Sequence, residues 1–110
     1  MKLPPDVIIP REKLTDYLLV FRLKSDKSQF LAQAGFTRSN PDALEKAIRE
    51  MIATHDATLD RQDRYGNFYR VEGTLRGVNK RDILVVTIWI LQIEKDAYRF
   101  VTLKPWRKKP

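Results

Sequence analysis

The sequence predicts an α+β fold in which N-terminal helices pack on one face of a four-stranded antiparallel sheet. Three observations carry this. Apolar residues recur at helical spacing through the first half of the chain, most clearly at Leu44, Ala47, Ile48, Met51 and Ile52. The second half reads as short strand-like runs separated by turn signals at Tyr65-Gly66-Asn67, at Gly77 to Asp82 and at Lys95-Asp96. Between the last two turns lies Ile83 to Ile93, ILVVTIWILQI, apolar on both sides as the centre of a sheet is. A length of 110 residues predicts one domain, 1–110, with one modest core.

Each element has its own signal. Pro4, Pro5 and Pro10 bracket Val7-Ile8-Ile9, a short extended segment suited to an edge because proline cannot donate to a ladder. Arg11 to Val20 follows with Leu14, Tyr17, Leu18 and then Phe21 at helical spacing, Pro10 suiting its start. Lys24-Ser25-Asp26-Lys27-Ser28 breaks the pattern as a polar connector. Lys27 to Ala34 then forms a short helix with Phe30 and Leu31, ended by Gly35. The clearest helix start is Asn40-Pro41. Asn40 is suited to accept from free backbone amides, Pro41 fits the first helical position, and Asp42 complements the dipole. That helix runs through Thr54. Ala57 to Arg64 is a weak, polar strand and Phe68 to Arg76 alternates well. Tyr98 to Leu103 returns along Ile83–Ile93, and the tail Lys104–Pro110 is basic with one aromatic, Trp106.

Composition bounds the function. There are 21 Lys and Arg against 14 Asp and Glu, a net charge of +7, which favours a phosphate-rich partner such as RNA. Many small basic domains carry such a charge for solubility alone. The absence of cysteine excludes disulfides, thiolate metal sites and thiol catalysis, and a single histidine, His55, argues against a histidine metal site; no metal or cofactor is implied. No run approaches the roughly 18 apolar residues of a membrane span, and Met1–Pro10 lacks a signal core. The expected location is cytoplasmic, with no membrane partner.

Pairing sorts the strands into faces. A turn centred on Lys95-Asp96 sets Trp89 opposite Thr102 and Leu91 opposite Phe100, and a symmetric preceding loop sets Arg70 opposite Thr87. One face then carries Tyr69, Val71, Gly73, Leu84, Val86, Ile88, Ile90, Val101 and Leu103, and is expected to hold the helices Arg11–Val20 and Pro41–Thr54. The other carries Phe68, Arg70, Glu72, Thr74, Thr87, Trp89, Leu91, Phe100 and Thr102. Aromatic and cationic open faces suit single-stranded nucleic acid, whose bases stack while Arg or Lys meets phosphate. The same residues also suit plain strand packing, and Arg70 with Glu72 also suits a solvated face.

Several segments together are familiar. KLTDYLL (13–19), KSQF (27–30), AGF (34–36), YRVEGTL (69–75), VTIWI (86–90) and YRFVTLKP (98–105) resemble a family of small bacterial domains. That family is similar in type to the Barnase–EndoU–colicin–RelE toxin fold, whose members are commonly metal-independent ribonucleases. The resemblance implies a site built on Lys27, Thr87, Arg99 and Thr102. Lys27 and Arg99 would serve the phosphate and the threonines would donate to its oxygens. Glu72, the one acidic side chain on the open face read from the pairing, is the candidate base. Arg70, Trp89 and Phe100 of that open face, with Lys24, are the candidate RNA-binding residues beside them. This chain departs from the family where a His-Pro and a Gly are usual, reading Phe21–Asp26 instead, and it ends Leu103-Lys104-Pro105 in place of Ala-Tyr-Pro. The missing histidine removes the easiest base near neutral pH, and His55 reads more readily as a partner of its helix's C-terminal dipole. Two functions therefore stand: an RNA-cleaving toxin-like domain, or a non-catalytic module that binds RNA or a cognate inhibitor or partner protein. A small dimerising domain is the third.

The charge predicts weak binding to single-stranded RNA that falls with salt. Affinity measured across a salt series is expected to give a log–log slope of about −0.7 for each phosphate neutralised. A flat line would leave the charge as a solubility feature.

Overall fold

The computed structural model describes residues 1–20, 27–92 and 94–106. Among these residues three N-terminal helices precede a four-stranded antiparallel meander in spatial order β1-β2-β3-β4, so the expected α+β class holds. The strands are β1 (Ala57–Asp63), β2 (Gly66–Leu75), β3 (Ile83–Gln92) and β4 (Tyr98–Pro105). No helix among the described residues is long and apolar enough to cross a membrane.

Helix α1 (Arg11–Lys13) starts after Pro10, whose extended backbone (φ −60°, ψ 130°) sets the chain for a first turn. It widens at once into a π-helical turn, Leu14–Leu18, closed by a bond from the Leu19 amide to the Leu14 carbonyl at 2.9 Å. Leu14 and Leu18 are buried, and Tyr17 stands half-buried beside them. The helix thus ends two residues before Val20. Helix α2 (Ser28–Ala32) is little more than one turn, held in place by the fully buried Leu31. Gly35 follows at φ 86°, and a side chain there would also strike Val78.

Helix α3 (Pro41–Thr54) carries the apolar stripe read from its spacing: Leu44, Ala47, Ile48, Met51 and Ile52 are all buried. Its start differs from expectation. The Asn40 side chain does not cap the helix. Its oxygen accepts from the Thr37 amide at 2.7 Å and its amide donates to the Gly35 carbonyl at 2.9 Å, so it ties the preceding loop instead. The Val7–Ile9 segment is the edge its flanking prolines predict. Ile8 bridges Arg99 in parallel, donating to the Tyr98 carbonyl at 2.8 Å and accepting from the Phe100 amide at 2.9 Å, and so covers the outer edge of β4. Arg49 of α3 fastens this segment by donating to the Pro5 and Val7 carbonyls.

The register corrects the expected faces. Thr87 pairs with Val71, and Arg70 with Ile88, one residue away from the symmetric loop. Trp89 pairs with Phe100 and Leu91 with Tyr98, two residues from the expected partners, and the pairing then steps so that Ile88 meets Thr102. Val101 is the extra residue, a β-bulge in β4. A one-residue slip exchanges the faces of a strand, and β3 is apolar on both, so its own pattern does not oppose the exchange. The helices therefore cover Val71, Leu75, Val85, Thr87, Trp89, Phe100 and Leu103, not Val86, Ile88 and Val101. Those last three lie on the far side with Phe68, Ile90 and Trp106 in a smaller apolar cluster.

Leu44 and Ile48 are 0% exposed at the centre of the helix–sheet layer. Leu44→Ala or Ile48→Ala is expected to destabilise by about 2–5 kcal/mol, read from denaturant unfolding. Near-zero cost at both would contradict this core.

Candidate functional site

Three side chains from three elements converge where the helical layer meets β4. Tyr17 comes from the π-helical turn, held by the buried Leu14 and Leu18 on either side. Lys27 immediately precedes α2, and its carbonyl accepts from the Leu31 amide at 3.0 Å. Thr102 follows the bulge residue of β4, the kind of irregularity that re-aims a side chain out of the regular ladder. The Lys27 ammonium donates to the Tyr17 phenol oxygen at 2.7 Å and to Thr102 Oγ1 at 2.8 Å, and the two hydroxyls are 3.1 Å apart. The triangle is closed, and all three residues are half-buried, so it is open to solvent on one side.

The electrostatics are one-sided. Lys27 Nζ lies 4.9 Å from the centre of the Tyr17 ring, and Lys13 Nζ approaches the same ring at 5.7 Å. Among the described residues no carboxylate forms an ion pair with either lysine. Burial pushes the phenol of Tyr17 up, but the hydrogen bonds from Lys27 and Thr102 and the charges of Lys27 and Lys13 outweigh it. Its pKa lies below the ordinary tyrosine value. An ammonium flanked by two hydroxyls is a set of hydrogen-bond donors for an anion's oxygens. Among the described residues no group of three or more His, Asp or Glu is placed to hold a metal.

The other sequence-derived candidates scatter. Thr87 is fully buried, contrary to its expected place on an open face. Its hydroxyl accepts from Trp89 Nε1 at 2.9 Å and makes a long contact to the Val71 carbonyl at 3.4 Å. Trp89 and Phe100 are buried as well, packed edge to face with ring centres 5.4 Å apart, so neither offers a surface to a base. The single cause is the register: the slip that turned β3 over carried Thr87 and Trp89 into the core.

Arg70 and Glu72 stay on the far face and are drawn to each other. Arg70 Nε is 2.8 Å from Glu72 Oε1, an ion-pair distance without hydrogen-bond alignment, and Asp60 approaches the same guanidinium at 3.6 Å. Arg99 is exposed on β4 beside Ile8. Lys24 lies outside the described residues. His55 sits just past α3, with Nδ1 2.9 Å from the Met51 carbonyl and 3.0 Å from Thr54 Oγ1. Its ring packs so close to the backbone of Gly73 that a side chain there would collide with it. That placement matches the dipole-partner reading. A groove at the same end of α3, lined by Glu50, His55, Thr74, Arg76 and Asp82, includes no member of the triangle.

The sequence reading joined Lys27 with Thr102 and missed Tyr17. Its spacing marked Tyr17 as one more residue of an apolar stripe. The available signal was Lys13 four residues earlier on the same helix face, which places a cation beside the phenol.

The chain belongs to the family described as a domain of unknown function (DUF6883), whose model matches residues 3–107. A search of curated proteins gives no match. Among solved structures, a chain of the contact-dependent growth inhibition toxin–immunity protein complex from Klebsiella pneumoniae 342 is similar. The TM-score is 0.70 over 94% of this chain and 96% of that chain, at 14% sequence identity. The likeness is one of fold.

Thr87→Val keeps the shape of the side chain and removes the acceptor of the Trp89 indole. The expected cost is about 1–3 kcal/mol, seen as a lower denaturant midpoint at unchanged slope, because a buried donor is left unpaired. An unchanged midpoint would mean that this bond contributes nothing to the core.

Proposed function

We propose that this DUF6883 domain is a toxin-like module that acts on RNA as a metal-independent endoribonuclease, in the manner of the Barnase–EndoU–colicin–RelE type. The observation that carries the reading is the closed triangle of Lys27, Tyr17 and Thr102, an ammonium held between two hydroxyls at a half-buried site, with no carboxylate paired to it among the described residues. Cleavage of a phosphodiester needs donors aimed at the charge that develops on phosphorus-bound oxygens, and this cluster supplies them. The net charge of +7 supports an anionic partner, and the exposed Arg99 and Lys104 on β4 extend the cationic character along the strand. In this reading Lys27 and Thr102 hold the scissile phosphate and Arg99 holds a neighbouring one. Thr87, Trp89 and Phe100 act through the core, and Glu72 and Arg70, paired on the far face, take no part.

The similarity of fold to a chain of a toxin–immunity protein complex supports a toxin-like role and a cognate protein partner. The domain is read as acting as one unit in the compartment that holds its RNA, the cytoplasm. One observation favours the non-catalytic alternative. Among the described residues no histidine or carboxylate touches the triangle, so the usual acid–base groups are absent from it.

Purified protein incubated with single-stranded RNA separates the two readings. Cleavage is expected to survive chelator. It is expected to fall about 10²–10³-fold in Thr102→Val, the typical loss for one donor to developing charge, and at least as far in Lys27→Ala. Activity abolished by chelator, or untouched by both substitutions, would remove the triangle as the site. Binding without cleavage would favour the binding module.

A further inference from the structure

We infer that Tyr17 is a catalytic residue of this site: its phenolic oxygen takes the proton from the ribose 2′-hydroxyl of a single-stranded RNA whose phosphate is held by Lys27 and Thr102. The inference rests on the RNA-cleaving reading and supplies the base which that reading lacks. His55 is engaged at Nδ1 by the Met51 carbonyl and Thr54, at the far end of α3. Glu72 is held 2.8 Å from Arg70 in an ion pair of its own. The oxygen inside the cluster that can both lose and gain a proton with a change of charge is the phenol.

Its surroundings suit that task. An ammonium has only donors, so Lys27 donates to the Tyr17 oxygen across 2.7 Å, and Thr102, 3.1 Å away, has a hydroxyl that can turn to do the same. Both bonds strengthen when the oxygen becomes a phenolate. The groups that face the ring among the described residues are Lys13 from its own helix, Lys27 from the start of α2 and Thr102 from β4; the charged ones are both cations. They favour the phenolate against the burial that opposes it, and the pKa is lowered accordingly. The π-helical turn fixes the ring between two buried leucines, and such widened turns recur at functional sites.

The step balances without a co-reactant. Tyr17 phenolate takes the 2′-hydroxyl proton, and the 2′-oxygen forms a bond to phosphorus. The bond from phosphorus to the 5′-oxygen breaks, and that oxygen leaves with a proton from the Lys27 ammonium. The products are a 2′,3′-cyclic phosphate and a 5′-hydroxyl. Tyr17 is then neutral and Lys27 is an amine, and one proton passing across their 2.7 Å contact restores both.

The test uses the full chain, a single-stranded RNA oligonucleotide, and the same oligonucleotide with one 2′-deoxy residue at the cleaved position. Wild type is expected to leave a cyclic phosphate end and to spare the deoxy substrate. Tyr17→Phe is expected to lower kcat by about 10²–10⁴-fold, the usual share of a general base, with RNA affinity changed little. Titration by tyrosinate absorbance gives a readout apart from activity. One tyrosine is expected to ionise below the ordinary value of about 10, to vanish from the titration in Tyr17→Phe and to move upward in Lys27→Met. The pH–rate profile of Lys27→Met is expected to shift to higher pH with it. Wild-type cleavage that persists in Tyr17→Phe would overturn the role of Tyr17 and leave the ribonuclease reading standing, as would a Tyr17 that ionises at or above the ordinary value. A wild type that cleaves no RNA would overturn the ribonuclease reading itself, and the inference with it.

Discussion

The position of Trp89 is the constraint on which the rest depends. Its indole is fully buried beneath the helices, its Nε1 donates to Thr87 on the same face of β3, and Phe100 of β4 meets it edge to face. A tryptophan can be buried this deeply only if its N–H finds a partner, and Thr87 supplies one from two residues away along the strand. This fixes which face of the central strand is the core, and with it the face of every paired residue. It also fixes Phe100. The Phe100 amide bonds Ile8 on the outer side of β4, so the N-terminal segment is tied to the same point. Two residues further along β4 the bulge brings Thr102 to Tyr17 and Lys27. The candidate site is thus positioned from the core outward.

Much of this was legible in the sequence, and what was not has a physical reason. The stripe Leu44–Ile48–Ile52 and the turn residues around Gly66 and Lys95 have local signals, and the elements they define form where expected. Lys27 and Thr102 were joined by resemblance, and the two side chains do meet. Register was the failure. Val85 and Val86 are the same residue, and Ile88 and Trp89 are both bulky and suited to burial, so the composition of β3 gives little preference between its faces. The register is set together with the loop from Arg76 to Asp82, where Gly77 lies close against the Arg81 and Ala34 carbonyls and Val78 donates to the Ala34 carbonyl. Those contacts are tertiary, and no window of sequence contains them. The bulge at Val101 and the π-helical turn at Leu14–Leu18 are invisible for the same reason, and Tyr17 owes its place to both.

The corrected faces change what the sheet can offer a nucleic acid. An open face with Trp89 and Phe100 would have been a stacking platform. The far face instead holds Phe68, Val86 and Ile88, each under 9% exposed, with Ile90, Val101 and Trp106 around them. Arg61 lies over Phe68 at 4.1 Å from the ring centre and already occupies the aromatic surface that a base would use. Base stacking on this sheet therefore has little to work with, and recognition of RNA would fall to its phosphates and 2′-hydroxyls. Those are the groups for which the triangle has donors.

The charges around the triangle bear on what it can hold. Arg11 pairs with Asp42, Arg49 with Glu45, Lys2 with Asp56 and Arg70 with Glu72, each cation meeting an acid nearby. Lys13 and Lys27, which flank one tyrosine, meet none among the described residues, and neither do Arg99 and Lys104 on β4. A half-buried ammonium loses part of its hydration, and beside a second cation it also bears repulsion. Two hydroxyls recover some of the lost hydrogen bonding but none of the charge. Selection for stability alone would favour a carboxylate at Thr102, which would neutralise Lys27 and satisfy it better. A carboxylate there would also repel a phosphate and hold the Tyr17 proton in place by raising the cost of a phenolate. The hydroxyl does neither. The cluster is thus more receptive to an anion than an ion pair would be, which is the character expected of a site kept for binding and chemistry.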